Sequence, residues 1–345
     1  MKILYIANIR IPSERVHSLQ VMKMCEALAN SGLETELVIP DRRDNLGERD
    51  IREFYGVKNN FVIRRIANPD LLGVSTKFSK LFYWIDFIFF FFRLFNIKVR
   101  EDTIVYSRDP ILTWPFVRKG KKTIVEIHDL PKGLDILKRA DRIVTITNNL
   151  KTLLVQMGIG ENKIIVAPDA VDMEKFDIDK TKSEARSSLN LDQNEKLVIY
   201  AGSRQIWKGV DTLYKASKLI KGARVLMITD KSYTQVPLYL KAADILVLPN
   251  SAKFNISRLY TSPMKLFEYM AAKRPIVASD LPSIREILDE RTAKFFIPDD
   301  PASLAQAIEH LLAHPDEGEK IAKEAYERSK GYTWENRART IIESI

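Results

Sequence analysis

Short apolar runs rich in Val and Ile, without strict polar–apolar alternation, recur along the chain and set the tightest limit on its fold. They read KILYIA, TELVIP, TIVYS, KTIVEI, RIVTIT, KIIVAP, KLVIYAG, RVLMIT, DILVLP and PIVAS. A strand with one wet face alternates, whereas a strand buried on both faces reads as a continuous apolar run, as in parallel sheets covered by helices. Between the runs lie segments of helical period at 16–31, 209–221, 262–272 and 300–313. Strand, helix and strand in succession predict α/β layers. A chain of 345 residues accommodates about two domains. The runs form two series separated by the polar stretch DIDKTKSEARSSLNLDQNEK, so a linker is expected near 170–195.

Several function classes drop out early. The single cysteine, Cys25, cannot form an intramolecular disulfide, and no Cys/His cluster has zinc-type spacing, which points to a reducing compartment. The opening MKILYIANIR is too short and strand-like for a secretory apolar region, so a cytoplasmic protein is expected. The net charge of +9 suits an anionic partner. No aromatic-basic RNA-binding signature or zinc finger accompanies it, so nucleic acid is not an expected partner.

One segment, LFYWIDFIFFFF at 81–92, is flanked by Lys77, Lys80, Arg93, Lys98 and Arg100. A spanning helix needs roughly 20 apolar residues, and this run is shorter and holds Asp86. Two readings stay open. It is a buried helix of the first domain, or an in-plane helix that holds 77–100 against an anionic membrane surface, which would make the protein peripheral on the inner face of the membrane.

Ligands of open parallel sheets gather beyond the carboxyl ends of the strands. In the first series the residues there are Ser107-Arg108-Asp109, His128-Asp129, Thr147-Asn148-Asn149 and Asp169. In the second they are Ser203-Arg204, Asp230-Lys231, Asn250-Ser251 and Asp280. Two facing rows of such ends would enclose a polar cleft between domains.

Two segments carry anion-binding chemistry. In SPMKLFEYM, Ser262 suits the N-cap and Pro263 the first helical position, which leaves backbone N–H groups pointing forward as an anion site. Lys265 in the first turn opposes the helix dipole at a cost of about 0.3–1 kcal/mol, which a bound phosphate would reverse. Glu268, one turn on, suits a vicinal diol such as a ribose, or else a satisfied buried ion pair. In YAGSRQIWKGVDTL a strand ends at Ala201, Gly202 allows a tight turn, and Ser203, Arg204 and Lys208 precede a helix. A hydroxyl and two cations in a strand-to-helix loop fit a diphosphate, although each cation is also consistent with a solvated surface. The Walker Gly-x4-Gly-Lys-Ser/Thr spacing and the Gly-x-Gly-x-x-Gly fingerprint are both missing.

With these pieces the chain resembles a glycosyltransferase of the family 4 type on the GT-B fold (glycosyl transferases group 1). The resemblance covers nearly the whole sequence. Its carriers are MKILYIANIR with VHSLQVMKMCEALANSGLETELVIP, TIVEIHDL, RIVTITNNLKTLLVQMGI, KIIVAPDAVDMEKF, YAGSRQIWKGVDTLYKA, LYLKAADILVLPNSA, SPMKLFEYMAAKRPIVASDLPSIREIL and YTWENRARTIIESI. It implies an α/β fold of two Rossmann-like domains facing each other across a cleft. Residues 1–172 would bind the acceptor, 173–332 would bind a nucleotide sugar, and the closing helix at 333–345 would pack back on the first domain.

The resemblance further implies a retaining, metal-independent transferase with no cofactor beyond its nucleoside-diphosphate-sugar substrate. Its acceptor would be a glycan or lipid-linked molecule of cell-envelope polysaccharide synthesis. The implied catalytic residues are His128, Lys208 and Glu268. The implied donor site is Ser203, Arg204, Lys208, Ser262, Pro263, Met264, Lys265, Leu266 and Glu268, with Lys208 on the diphosphate and Glu268 at the ribose. The acceptor side would take His17, Ser18 and Asp129, together with Arg108 and Asp109, which follow a strand and either hold the acceptor or form a surface ion pair with each other.

Three departures from the family pattern stand out. Tyr260 occupies the place of the first acid of its Glu-x7-Glu pair, PSERVHS replaces the N-terminal glycine pair, and the stretch from RVLMIT to DILVLP is short. They support an alternative, a non-catalytic glycan- or glycolipid-binding module of the same fold with a degenerate donor site.

Overall fold

The computed structural model describes residues 1–42, 50–71, 79–131 and 133–345. The chain folds into two compact units. The first comprises Met1–Thr145, Leu153–Ala167 and Ala338–Ile345, and the second Ile146–Thr152 and Pro168–Arg337.

The first unit holds a parallel sheet of β1 (Lys2–Ile6), β2 (Glu34–Pro40), β3 (Val62–Ile66), β4 (Thr103–Ser107), β5 (Thr123–Ile127), β6 (Arg142–Thr145) and β7 (Ile164–Val166). Their order is β3-β2-β1-β4-β5-β6-β7. Strand order reverses between β1 and β4, which opens a crevice beyond their carboxyl ends. The second unit repeats the plan with β8 (Lys196–Ala201), β9 (Ala223–Ile228), β10 (Ile245–Leu248), β11 (Ile276–Ser279) and β12 (Lys294–Phe296), in the order β12-β11-β10-β8-β9 and again parallel. Its reversal lies between β8 and β10.

The interior strands are the apolar runs of the sequence, and β4, β5 and β10 are buried at every position. Each fully buried Leu, Ile or Phe adds about 1.5–3 kcal/mol to the core. Two strands escaped the sequence reading. β3, VIRRI, is exposed or half-buried throughout, and β12 is the short KFF. Both are edge strands, where charged and short segments blunt an open hydrogen-bonding edge.

Two further expectations change. The stretch at 170–195 is not a bare linker, since Thr181 and Glu184 form a capping box on the helix Lys182–Ser188. Arg186 of that helix is buried and donates to the carbonyls of Ala242, Asp192 and Gln193 and to Asp244. The helix expected at 209–221 ends at Ala216. At the chain end, the helix Trp334–Ile342 is divided between the units, and Arg142 donates to the Ser344 carbonyl within the first.

The aromatic run forms the helix Ser79–Leu94, which puts Phe87, Phe90 and Leu94 into a core cluster with Leu4, Ile6, Val38, Val105, Leu112 and Phe116. Its other face is exposed, and no helix among the described residues is long and apolar enough to cross a membrane. Lys77 lies outside the described residues.

Candidate functional site

In the second unit the two anion-binding segments converge beyond β8, at the reversal of strand order. β8 ends at Ala201, whose N–H donates to the Tyr269 hydroxyl at 2.7 Å. The Tyr200 hydroxyl donates to the Ser203 carbonyl at 2.7 Å and tightens the turn at Gly202, whose φ is +144°. Ser203, Arg204 and Gln205 are exposed, a 3-10 turn spans Ile206–Lys208, and Gly209 at φ +68° opens the helix Val210–Ala216. The Ser251 N–H donates to the Trp207 carbonyl at 3.0 Å and pins this loop to the chain leaving β10.

The second segment differs by one register from the sequence expectation. The helix is Met264–Ala271, Pro263 occupies the N-cap with ψ 123°, and the Leu266 N–H closes on the Pro263 carbonyl at 2.8 Å. Ser262 does not cap it, because its hydroxyl accepts from the Asp169 N–H at 2.9 Å. The N–H groups of Met264 and Lys265 therefore lie in a first turn where no preceding helical carbonyl can reach them.

Lys265 ties the two segments together. An added Cβ on Gly202 would lie 3.7 Å from its Cδ. Its Nζ is buried without a hydrogen-bond partner, 4.0 Å from the centre of the Tyr200 ring. Burial holds the pKa of this lysine well below the usual amine range, Lys208 pushes it lower still, and Glu268 opposes both. The Tyr200 face offers a cation about 1–2 kcal/mol, less than a lost hydration shell.

Glu268, one turn further along the same face, is pushed up to about 7 by burial, opposed by Lys265, Lys208 and Lys175. Lys208 is lowered by burial and raised by Glu268. Two amines and two first-turn N–H groups thus meet one acid in a desolvated corner. A group bringing negative charge there would favour the charged form of Lys265 that burial disfavours. Sequence reasoning missed Tyr200 and Lys175. Tyr260 is buried in the turn Ile256–Tyr260.

In the first unit the polar centre is Glu126, an acid inside β5 that the sequence reading passed over. It is fully buried and accepts from Gln20 Nε2 at 2.8 Å, from the Tyr106 hydroxyl and from the His128 ring, with Arg108 Nε at 3.9 Å. His128 stands two residues on along the same strand face, the spacing that could have flagged the pair.

Arg108 donates to Gln20 as well. Asp109, at the N-cap of the helix Pro110–Val117, is raised by burial, with Arg108 opposing. His17 faces this network. Burial first, then Arg108 and His128, lower its pKa to about 2, with Glu126 opposing.

Other expected residues are engaged elsewhere. The Ser18 hydroxyl donates to the Arg10 carbonyl, and exposed Asp129 accepts from the neighbouring Leu130 N–H. Asn148 and Asn149 group with the second unit, where Glu286 accepts from their N–H and amide groups at 2.6–3.1 Å. Asp280 is paired with Arg285.

The His17 environment predicts an acid-sensitive fold. The unfolded imidazole binds a proton near pH 6.5 and the folded one refuses it until about pH 2, so stability falls by about 1.4 kcal/mol per pH unit on acidification through that window. Denaturant melts at pH 7.5 and 5.0 should differ by about 2 kcal/mol from this group. His17→Phe should remove that share of the difference, and an unchanged slope in the variant would count against the assignment.

Residues 215–314 match the model of the family Glycosyl transferases group 1. An uncharacterized glycosyltransferase of Methanocaldococcus jannaschii is 24% identical over 240 residues, covering 58% of each chain. A putative teichuronic acid biosynthesis glycosyltransferase of Bacillus subtilis is 24% identical over 215 residues, covering 55% of this chain and 53% of the relative. The chain thus spans a little over half the length of the curated relatives it matches. Among solved structures, Anabaena HepE in complex with UDP-glucose superposes with a TM-score of 0.73 at 14% identity, over 100% of this chain and 99% of that one. The protein is thus a GT-B-fold chain whose residues 215–314 match the Glycosyl transferases group 1 model.

Proposed function

We propose that the protein transfers a sugar, with retention of anomeric configuration, from a nucleoside-diphosphate sugar to a glycan or lipid-linked acceptor of cell-envelope polysaccharide synthesis. The observation that carries this reading is the convergence of Lys208 and the Lys265 first turn on one desolvated corner beyond β8. Departure of the leaving group builds charge on the diphosphate. Preorganised amines and N–H groups in a low-dielectric site stabilise such charge without a metal ion.

In this reading Lys208, Arg204, Ser203 and the Ser262–Leu266 backbone hold the diphosphate, and Glu268 takes the ribose diol. His128, steadied by Glu126, orients a reacting hydroxyl, and Arg108, Asp109 and His17 line the acceptor side. The solved structure of the same fold bound to UDP-glucose and the relative named for teichuronic acid synthesis support the donor class and the envelope role.

The test is a panel of nucleoside-diphosphate sugars read by thermal stabilisation and by transfer. The fitting donor should stabilise the wild type, and Lys208→Ala should need at least about tenfold more of it. Identical responses of the two proteins to every donor would remove the reading. Buried Tyr260, in place of the first family acid, favours the binding module as the second reading. Tight donor binding with no turnover on any acceptor would select it.

A further inference from the structure

The helix Ser79–Leu94 carries a surface that sugar transfer does not use. Its inner face accounts for Phe87, Phe90 and Leu94. Asp86, the residue that interrupts the apolar run, is also inside, fully buried, 3.8 Å from Arg42 and accepting from the Leu71 N–H. The outer face is therefore free of acids, and Leu81, Trp84, Ile88, Phe89 and Phe92 are all exposed there, Phe92 by 63%. At 100° per residue Leu81, Trp84, Ile88 and Phe92 fall within an arc of about 80°. A contiguous stripe of large apolar side chains on a surface helix marks an interaction site.

The surroundings say what covers it. Lys80 and Arg93 lie on opposite shoulders of the stripe. At its carboxyl end an open groove of about 540 Å³ is lined by Phe95, Lys98, Lys119 and the Lys121–Glu101 ion pair, among others. Lys119 donates to the Phe95 and Ile97 carbonyls, and none of Lys80, Arg93, Lys98 and Lys119 pairs with a carboxylate among the described residues. Unneutralised cations around an aromatic stripe complement anionic headgroups above an acyl layer.

We propose that this helix lies in the plane of an anionic lipid bilayer, with the Leu81–Phe92 stripe at the headgroup–acyl boundary and the four cations among the headgroups. Docking of this kind makes no use of the sugar-transfer site, so it stands or falls separately from the proposed function.

Flotation on density gradients decides it, with vesicles of phosphatidylcholine alone or mixed with phosphatidylglycerol. Wild type should float with the anionic vesicles and be released by salt. Trp84→Ser/Phe92→Ser should bind at least about tenfold more weakly. Arg93→Glu and Lys98→Glu should each cost about fivefold or more. Tyr214→Ser, at an exposed aromatic of the second unit, should float like wild type, and unchanged thermal melts would show that every variant folds. Absence of flotation, or flotation indifferent to the stripe substitutions, overturns the proposal. So does a lipid-free dimer that the stripe substitutions dissolve, which would make a second copy the occupant.

Discussion

Lys265→Met is expected to make the ligand-free protein more stable and its donor binding far weaker. The lysine amine is buried without a hydrogen-bond partner, and burial has already pulled its pKa down, so the folded protein carries the cost of a desolvated polar group. Such a group costs about 1–3 kcal/mol in proteins. Methionine keeps most of the length and contact with the Tyr200 ring while removing the amine. The apo melting temperature should rise by several degrees, at roughly 2–4 °C per kcal/mol for domains of this size.

A bound pyrophosphate would pair with the same amine and favour its charged form, so the variant should lose about 2–4 kcal/mol of donor affinity, a factor of about 30 to 1,000. The loss should appear as a raised donor concentration for half-maximal thermal stabilisation of the variant. A variant that is less stable without ligand, yet binds the donor normally, would show Lys265 to be a packing residue.

That lysine also marks how far the sequence could be read. A cation in the first turn of a helix is a local anomaly, and local anomalies are visible in one dimension, as were the continuous apolar runs of strands covered on both faces. Glu126 lacked any such mark. A single acid in TIVEI looks like a solvated strand residue until Gln20, Tyr106, Arg108 and His128 are seen around it, and Gln20 lies 106 residues away.

Ser262 misled for a related reason. Its local pattern is that of an N-cap, but Asp169, distant in sequence, takes its hydroxyl. The edge strands β3 and β12 were illegible because half-solvated, charged strands need not carry the apolar signature that revealed their neighbours. The grouping of Ile146–Thr152 with the second unit rests on Glu286, again far along the chain.

Gly209→Ala is expected to be the most damaging single-methyl change in the second unit. The added Cβ would sit 1.7 Å from the Pro249 carbonyl oxygen, a backbone atom that cannot rotate aside, and φ at this position is +68°. Pro249 directly follows β10, which is hydrogen-bonded on both sides by β8 and β11, so relief must come from the loop. Moving the loop would break the Ser251–Trp207 bond and carry Lys208 away from Glu268 and Lys265.

Left-handed backbone costs a non-glycine residue about 1–3 kcal/mol, and overpacking typically adds a further 1–3, so a loss of about 3 kcal/mol or more is expected. Gly222→Ala separates these contributions. Its φ is +73°, and an added Cβ there meets nothing within 4 Å, so it should pay the backbone cost alone, about 1 kcal/mol. Denaturant midpoints for the two variants should therefore differ widely. Where Gly209→Ala still folds, it should also fail to be stabilised by nucleoside-diphosphate sugars that stabilise Gly222→Ala. Equal stability losses would mean that the loop yields freely and that the position of Lys208 is not set by the contact at Pro249.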